Sequence, residues 1–327
     1  MASALRDEIV RTLTVYKART GYPLQQLLGW AEINPAKFYD WQTRLSRPNR
    51  HNGQIPKAHW LLSWEKEAII EYARQHVAEG YRPLAYEMID ADVVYVSPSS
   101  VYRVLKAAGL LQKYLPVAES QKGRGYVQPT TPHQEWHTDI TYVNMCGTFL
   151  FLIAVLDGYS RYVLHHELRA SMERWDVILT VQRAREKFPE VTPRVISDHG
   201  GPYIAQEYKD YLRYAGLTQT LISVGYPKSN GKIERFYRTV KGECIRRQSI
   251  LSLADGRRII DDFIAYYNNR RLHSALGFIT PVDVLMGRRE EIIKIRQEKL
   301  AQARAKRSAY FNNFSTLIPT PVLSDSR

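Results

Sequence analysis

Three acidic residues stand where an acid is costly to hold or where a site is easily built. The stretch "WHTDITYVNMCGTFLFLIAVLDGYSRYV", residues 136–163, is rich in Ile, Leu, Val, Phe and Tyr and reads as buried strands, yet Asp139 sits inside the first of them. An ionised carboxylate within a sheet is expensive unless it is paired, hydrogen-bonded or bound to a cation. Asp198 closes another apolar strand in "PRVISDHGGPY", where a His-Gly-Gly-Pro turn lets the chain leave sharply. Glu234 follows in "YPKSNGKIERFYRTVKGEC", one turn into a helix approached through Pro, Ser, Asn and Gly. Polar groups that interrupt strand ends mark candidate sites in a sheet covered by helices. Carboxylates are hard oxygen donors that suit Mg²⁺ or Mn²⁺ and leave positions open for phosphate and water.

The acids are separated by 59 and 36 positions, the second interval enclosing 35 residues. In this order and spacing, "HTDITYV", "VISDHGGPY" and "SNGKIERFYRTVKGE", with "YYNNRRLHSALGFITPVDVL" at 266–285, resemble the retroviral-integrase-like DDE transposases, specifically the bacterial insertion-sequence branch. The resemblance runs from near residue 133 to 286. It implies an RNase H-like fold and a triad of Asp139, Asp198 and Glu234 that is both catalytic and metal-binding. Two divalent cations about 3.5–4 Å apart can activate the attacking oxygen and stabilise the leaving oxygen of an in-line phosphoryl substitution, which gives the triad a chemical reason. Two Mg²⁺ ions are therefore expected, with Mn²⁺ able to substitute. The implied reaction is hydrolysis that liberates a 3′-hydroxyl at an element's end, followed by attack of that hydroxyl on another phosphodiester. Many members of the branch first join one end to the other in a circle, and these residues do not show which route applies.

Arg238 and Lys241 lie four and seven positions after Glu234, on its side of the helix, where they could grip phosphates. A basic residue at the seventh position is typical of the insertion-sequence branch, and Lys241 matches it. The plainer alternative is an i,i+4 Glu–Arg pair on a surface helix. Asp157 precedes Gly158 and reads as a turn residue between strands, outside the triad. His199 departs from the basic or variable residue often found after the second aspartate, and either contacts DNA or caps the turn. Asn230 is expected to order the approach to the Glu234 helix. His273 and Ser274 are expected to tie the last core helix to its neighbours, and Pro281 to mark a turn.

These side chains need a scaffold. The patterning predicts strands at 136–143, 148–157, 161–168, 193–197 and 217–222, helices at 173–187, 205–215 and 254–267, and a long helix starting at Asn230 or Gly231. That succession indicates an α/β core, a mixed five-stranded sheet with helices on both faces, spanning 133–286. All-α segments precede it. Residues 1–50 read as a helix-turn-helix domain or a small helical bundle, with Asn34 as N-cap and Pro35 at the first helical position of a helix presenting Lys37, Tyr39, Gln42 and Arg44. A Pro/Gly/Asn-rich linker at 47–57 leads to a second such group at 58–112. There a helix is stopped by Gly80, and another is capped by Ser97 with Pro98 behind it. Tyr102, Arg103 and Lys106 on that last helix contact DNA or form a solvated face. Residues 113–132 read as an extended connector, and 287–327 as a basic helical tail that is a DNA-binding arm, a partner-binding helix or an ordinary solvated one. The apolar end "YFNNFSTLIPTPVL" is expected to dock on the core or on another subunit.

Composition agrees with a nucleic-acid partner. The 327 residues carry 46 Lys and Arg against 33 Asp and Glu, a net charge of +13. An excess of this size favours a polyanion. Cys146 and Cys244 are far apart and without a CxxC pattern, which excludes a disulfide framework and a structural zinc site. No run approaches the ~20 apolar residues of a membrane span, and the N-terminus lacks the apolar core of a signal peptide, so a cytosolic protein without membrane contact is expected, and the resemblance implies a bacterial, nucleoid-associated one. The leading reading is a transposase that binds terminal inverted repeats, with double-stranded DNA ends and target as partners and a homodimer or higher oligomer on DNA. A metal-dependent RNase H-like nuclease and a DNA-binding regulator with an inactive core are the alternatives. The branch often fuses an upstream reading frame to this one, and the sequence leaves open whether such a segment is needed.

Overall fold

The computed structural model describes residues 3–46, 60–77, 79–111, 127–222 and 230–316. They fall into two compact units, residues 62–303 and residues 1–61 with 304–327. The linker expected at 47–57, the connector up to residue 126 and the tail beyond 316 lie outside the described residues.

In the unit of 1–61 and 304–327, α1 (Ser3–Thr20), α2 (Leu24–Trp30) and α3 (Pro35–Thr43) close on Val10, Leu28, Phe38 and Trp41. Asn34 caps α3 by accepting from the Ala36 amide at 2.9 Å, and Pro35 fills the first helical position, where no amide is needed. Arg6 is tolerated in this small core because its guanidinium is engaged by Asp7 and by the Arg44 carbonyl at 2.7 Å. Phe311 meets Trp60 edge-on within the same unit.

The second unit begins with α4 (Ser63–Gln75), α5 (Tyr81–Asp90) and α6 (Pro98–Ala107), which bury Ile69, Leu84, Met88, Ile89, Val101 and Leu105. Contrary to the sequence expectation, α4 does not run to Gly80. The helix ends at Gln75, where His76 leaves the helical conformation as C-cap, and Gly80 serves as N-cap of α5. Ser97 caps α6 as expected, accepting from the Ser100 amide. These helices pack with much later residues. Tyr86 stacks on Phe278 at 5.0 Å, Tyr266 donates to Glu79, and Arg296 makes a two-pronged ion pair with Asp90 at 2.8 and 2.6 Å. The segments expected as separate domains, 58–112 and 133–286, thus share one compact unit over the residues from 62 onward.

The sheet contains β1 (Glu135–Met145), β2 (Thr148–Asp157), β3 (Val163–Arg169), β4 (Arg194–Ser197) and β5 (Thr218–Leu221), in the order β3-β2-β1-β4-β5. β1 to β3 form an antiparallel meander, and β4 and β5 run parallel to β1, giving the mixed sheet of an RNase H-like core. Cys146 and Gly147, both at positive φ, make the two-residue turn between β1 and β2. That geometry matches the twist of paired strands. One face is covered by α7 (Arg174–Lys187), α8 (Gly201–Ile204) and α9 (Gln206–Tyr214), which close over Trp136, Ile153 and Val155. The other is covered by α10 (Gly231–Thr239) and α11 (Leu253–Asn269), whose Ile233, Phe236 and Ile260 meet Leu152, Ala154 and Leu156.

The long helix expected from Asn230 is interrupted. Regular α10 stops at Thr239, and the chain continues through a π turn, Val240–Cys244, and a 3-10 turn, Ile245–Arg247. The turn is held from outside: Arg271 donates twice to Glu243 at 2.7 Å, and Cys244 is buried against α11. Pro281, expected at a turn, is the first residue of α12 (Pro281–Leu285), and the tail helix α13 spans Arg289–Thr316. His273 does join its surroundings: its ring meets Tyr267 of α11 edge-on and accepts from the Ala275 amide. No helix among the described residues is long and apolar enough to cross a membrane.

Asp157, at the end of β2, is fully buried and organises the turn into β3. Its carboxylate accepts from the amides of His133 at 2.7 Å, Tyr159 at 3.2 Å and Ser160 at 2.7 Å, and from the Ser160 hydroxyl at 2.6 Å. It is the structural turn residue that the sequence suggested. Replacing Asp157 with Ala strands several buried donors, so a loss of at least about 3 kcal/mol is expected in urea melts, with a smaller loss for Asp157→Asn.

Candidate active site

Side chains alternate along β1, so Glu135, His137, Asp139, Thr141 and Val143 share the face beneath α10. Strand and helix are fastened at two levels. Lys232, in the first turn of α10, lies 3.8 Å from Glu135, and burial together with the nearby Arg161 lowers its ammonium to about 8. His137 is completely buried, with Gly158 packed so closely that an added Cβ would stand 3.0 Å from its ring. Burial, with Lys232 and Arg161 nearby, lowers the imidazole to about 3, so it is neutral. One helical turn later the Tyr237 hydroxyl donates to the backbone carbonyls of Asp139 and Leu152. That bond fixes the height of α10 above the strand at the acid itself.

Asp139 is half-buried, and its carboxyl is raised to about 7. Burial is the largest cause, Asp198 and Glu234 raise it further, and the Ile140 amide and Lys241 act in the opposite sense. The three acids, remote in sequence, therefore share one electrostatic neighbourhood. Asp198 lies just past β4, which pairs with β1, and its Oδ1 accepts from the Gly200 amide at 2.9 Å. A Cβ at Gly200 would come within 3.0 Å of that oxygen, so the glycine is what allows the chain to turn so tightly around the acid. Glu234 is exposed on the first turn of α10, where the helix dipole favours a negative charge.

Asp139, Thr141, Glu234, Tyr237, Arg238 and Lys241 line one open cleft of about 330 Å³, together with Arg246. Asp198 is near Asp139 without forming part of the cleft wall. Arg238, Lys241 and Arg246 make no ion pair with a carboxylate among the described residues, so the alternative of a Glu234–Arg238 surface pair is not what the structure contains. Thr141, Tyr237 and Arg246 were not identified from sequence. Thr141 was readable from strand alternation and Tyr237 from its place on the inner face of α10, but Arg246 depends on the π turn. The remaining candidates are not brought into the cleft. Lys37 lies over the Trp41 ring, Gln42 is exposed, and Arg44 is paired with its neighbour Asp40. On α6, Tyr102 meets Tyr81 edge-on, Arg103 donates to the Ser99 carbonyl, and Lys106 is exposed. His199 is exposed beside Asp198, and Asn230 is buried at the start of α10.

The donor set is all carboxylate, which suits a hard divalent cation. Among the described residues no three His, Cys, Asp or Glu side chains are gathered closely enough to ligate one ion. Asp139 and Asp198 each turn an oxygen to a backbone amide of their own loop or strand. Mg²⁺ is commonly held by one or two carboxylates with water and substrate phosphate completing its shell, so these residues fit it without a closed cage.

Comparison with known proteins agrees with this geometry. A family described as "Integrase core domain" matches residues 129–227, and a second of the same description matches 215–281. Together they enclose Asp139, Asp198 and Glu234. The chain is 27% identical over 283 residues to the InsK protein of insertion sequence element IS150 from Escherichia coli strain K12, covering 81% of this chain and 94% of that one. It is 25% identical over 280 residues to the transposase for insertion sequence element IS629 of Shigella sonnei, covering 82% and 93%. Among solved structures it is similar to the HTLV-2 integrase catalytic core domain in complex with magnesium, at 15% identity and a TM-score of 0.39, over 48% of this chain and 98% of that one. These matches support a transposase of the bacterial insertion-sequence kind with an integrase-like core.

Proposed function

We propose that this transposase uses Asp139, Asp198 and Glu234 to cut the 3′ ends of its element and to join them to another DNA strand. The observation that supports the reading is that Asp139 and Glu234 line one cleft with Arg238, Lys241 and Arg246, which have no carboxylate ion pair among the described residues, while Asp198 and Glu234 both raise the Asp139 carboxyl. In the first step water attacks phosphorus and the P–O3′ bond breaks, leaving a 3′-hydroxyl and a 5′-phosphate. In the second that hydroxyl forms a new P–O bond in another strand and displaces that strand's 3′-oxygen. Arg238 and Lys241 hold phosphates against the acids, offsetting repulsion between the carboxylates and the DNA. Tyr237 keeps the helix at the height that sets Glu234 opposite Asp139. Asp139, Asp198 and Glu234 would hold Mg²⁺, which when bound polarises the phosphoryl oxygen and makes water a stronger nucleophile.

Recognition of the terminal inverted repeats falls to the N-terminal helices, with Lys37, Gln42 and Arg44 on α3 and Tyr102, Arg103 and Lys106 on α6 as contacts. Two ends must be held together for joining, so a dimer or higher oligomer assembles on DNA. Labelled duplexes carrying the gene's genomic flanks test the reading. With Mg²⁺ the native chain should nick and join them, and Asp198→Asn should lose about 10²–10³-fold or more of both activities while binding the same DNA. Hydrolysis with no joined product would instead favour a nuclease.

The charge arrangement also governs stability. Folded Asp139 keeps its proton up to about pH 7, whereas an ordinary aspartate releases it near 3.8. The folded state therefore binds the extra proton between these values, and stability falls as pH rises through that window. In metal-free buffer Asp139→Asn should melt above the native chain at pH 8, with the difference shrinking toward pH 4. Mg²⁺ should raise the melting temperature of the native chain at pH 8 much more than that of the variant. A difference that does not change with pH would overturn this account of Asp139.

A further inference from the structure

The π turn has a geometric effect on the cleft. Regular helix advances about 100° per residue, so a residue seven positions after Glu234 returns to within about 20° of it, as Lys241 does. Twelve positions on, Arg246 would point about 120° away from Glu234 on an uninterrupted α-helix. The π turn takes up about one extra residue and the 3-10 turn that carries Arg246 winds more tightly, so the regular count no longer applies and Arg246 lies on the cleft side. Arg246 accordingly lines the same cleft as Glu234, Arg238 and Lys241.

The wide turn is fastened in place. Glu243, inside it, is held by both prongs of Arg271, Cys244 is buried, and Ile250 beyond it is buried as well. Arg246 itself is exposed and has no carboxylate partner among the described residues. Other arginines of this unit do pair with a carboxylate, as Arg288 does with Asp283 at 2.9 and 2.6 Å and Arg296 with Asp90, whereas the cations lining the cleft do not among the described residues. Three unmatched cations on one strip repel one another, and a polyanion lying along the strip removes that cost.

We propose that Arg246 is a third phosphate-binding residue of the cleft, placed there by the π turn, which extends the grip on the DNA strand beyond the one supplied by Arg238 and Lys241. Arg246 meets the backbone within a few nucleotides of the bond that is cut. The inference rests on the DNA-joining reading above and adds the length of strand that the site holds.

The test is phosphate scanning by binding. Duplexes from the gene's flanks carry a neutral methylphosphonate at one position at a time, and affinity is measured for the native chain, Arg246→Gln, Arg246→Lys and the adjacent control Arg247→Gln. The native chain, Arg246→Lys and Arg247→Gln should lose about three- to fourfold at one phosphate within a few nucleotides of the cut, and Arg246→Gln should be indifferent there. The slope of log affinity against log salt should also fall by about 0.9 in Arg246→Gln alone. An Arg246→Gln scan and slope that match the native ones overturn the proposal. Nicking by the native chain is scored separately, so a chain that binds without cutting defeats the reading of the acids and leaves the Arg246 profile to be judged on its own.

Discussion

The carboxylate of Asp139 is held where an ionised acid is least stable, half-buried in the central strand beneath α10 and close to two other acids. The rest of the core is arranged around that constraint. β1 must be central so that β4 can carry Asp198 alongside it, and β2 must flank it so that the hydrophobic face under α10 is continuous. The energy that holds the acids together comes from that apolar face. Leu152, Ala154 and Leu156 from the sheet meet Ile233, Phe236 and Ile260 from the helices, and such burial is the dominant favourable contribution to folding.

α10 divides this work by face. Ile233, Phe236 and Tyr237 are buried and fix the helix to the sheet, which leaves Glu234, Arg238 and Lys241 to face the cleft. The packing of the inner face therefore sets the position of the outer one. A change at Phe236, which touches no site residue by charge, would move Glu234 through the helix. Tyr237 joins the two roles, since its ring is part of the core and its hydroxyl bonds to the backbone of Asp139.

Much of this core was legible in the sequence because its signals are local. Asp139 and Asp198 interrupt apolar runs, and Glu234 follows a loop-like stretch, so residue type and spacing were enough to join them. Strand boundaries came within a few residues for the same reason, since alternation and the Cys146–Gly147 turn are local. What was missed depends on partners distant in the chain. Glu243 and Arg271 are 28 positions apart, and no periodicity of 3.6 residues signals a wider turn between Val240 and Cys244. Arg246 was invisible as a site residue for that reason. Gly80 misled because a glycine marks a helix end equally well as its stop or as the next helix's start. The Asp90–Arg296 pair, 206 positions apart, joins the second helical group to the tail helix, and no local pattern contains it.

Two aspartates of the same sheet show how a structural acid differs from a candidate chemical one. Asp157 is the more deeply buried, yet four donors converge on it, and a buried acceptor so satisfied has no use for a cation. Asp139 is less buried and, among the described residues, receives a single hydrogen bond, from the Ile140 amide, while two acids nearby oppose its charge. Depth of burial alone would rank the two in the wrong order. The number of acceptor positions left unmet separates them, because an acid that few donors satisfy can be completed from outside, by a cation and the phosphate it carries.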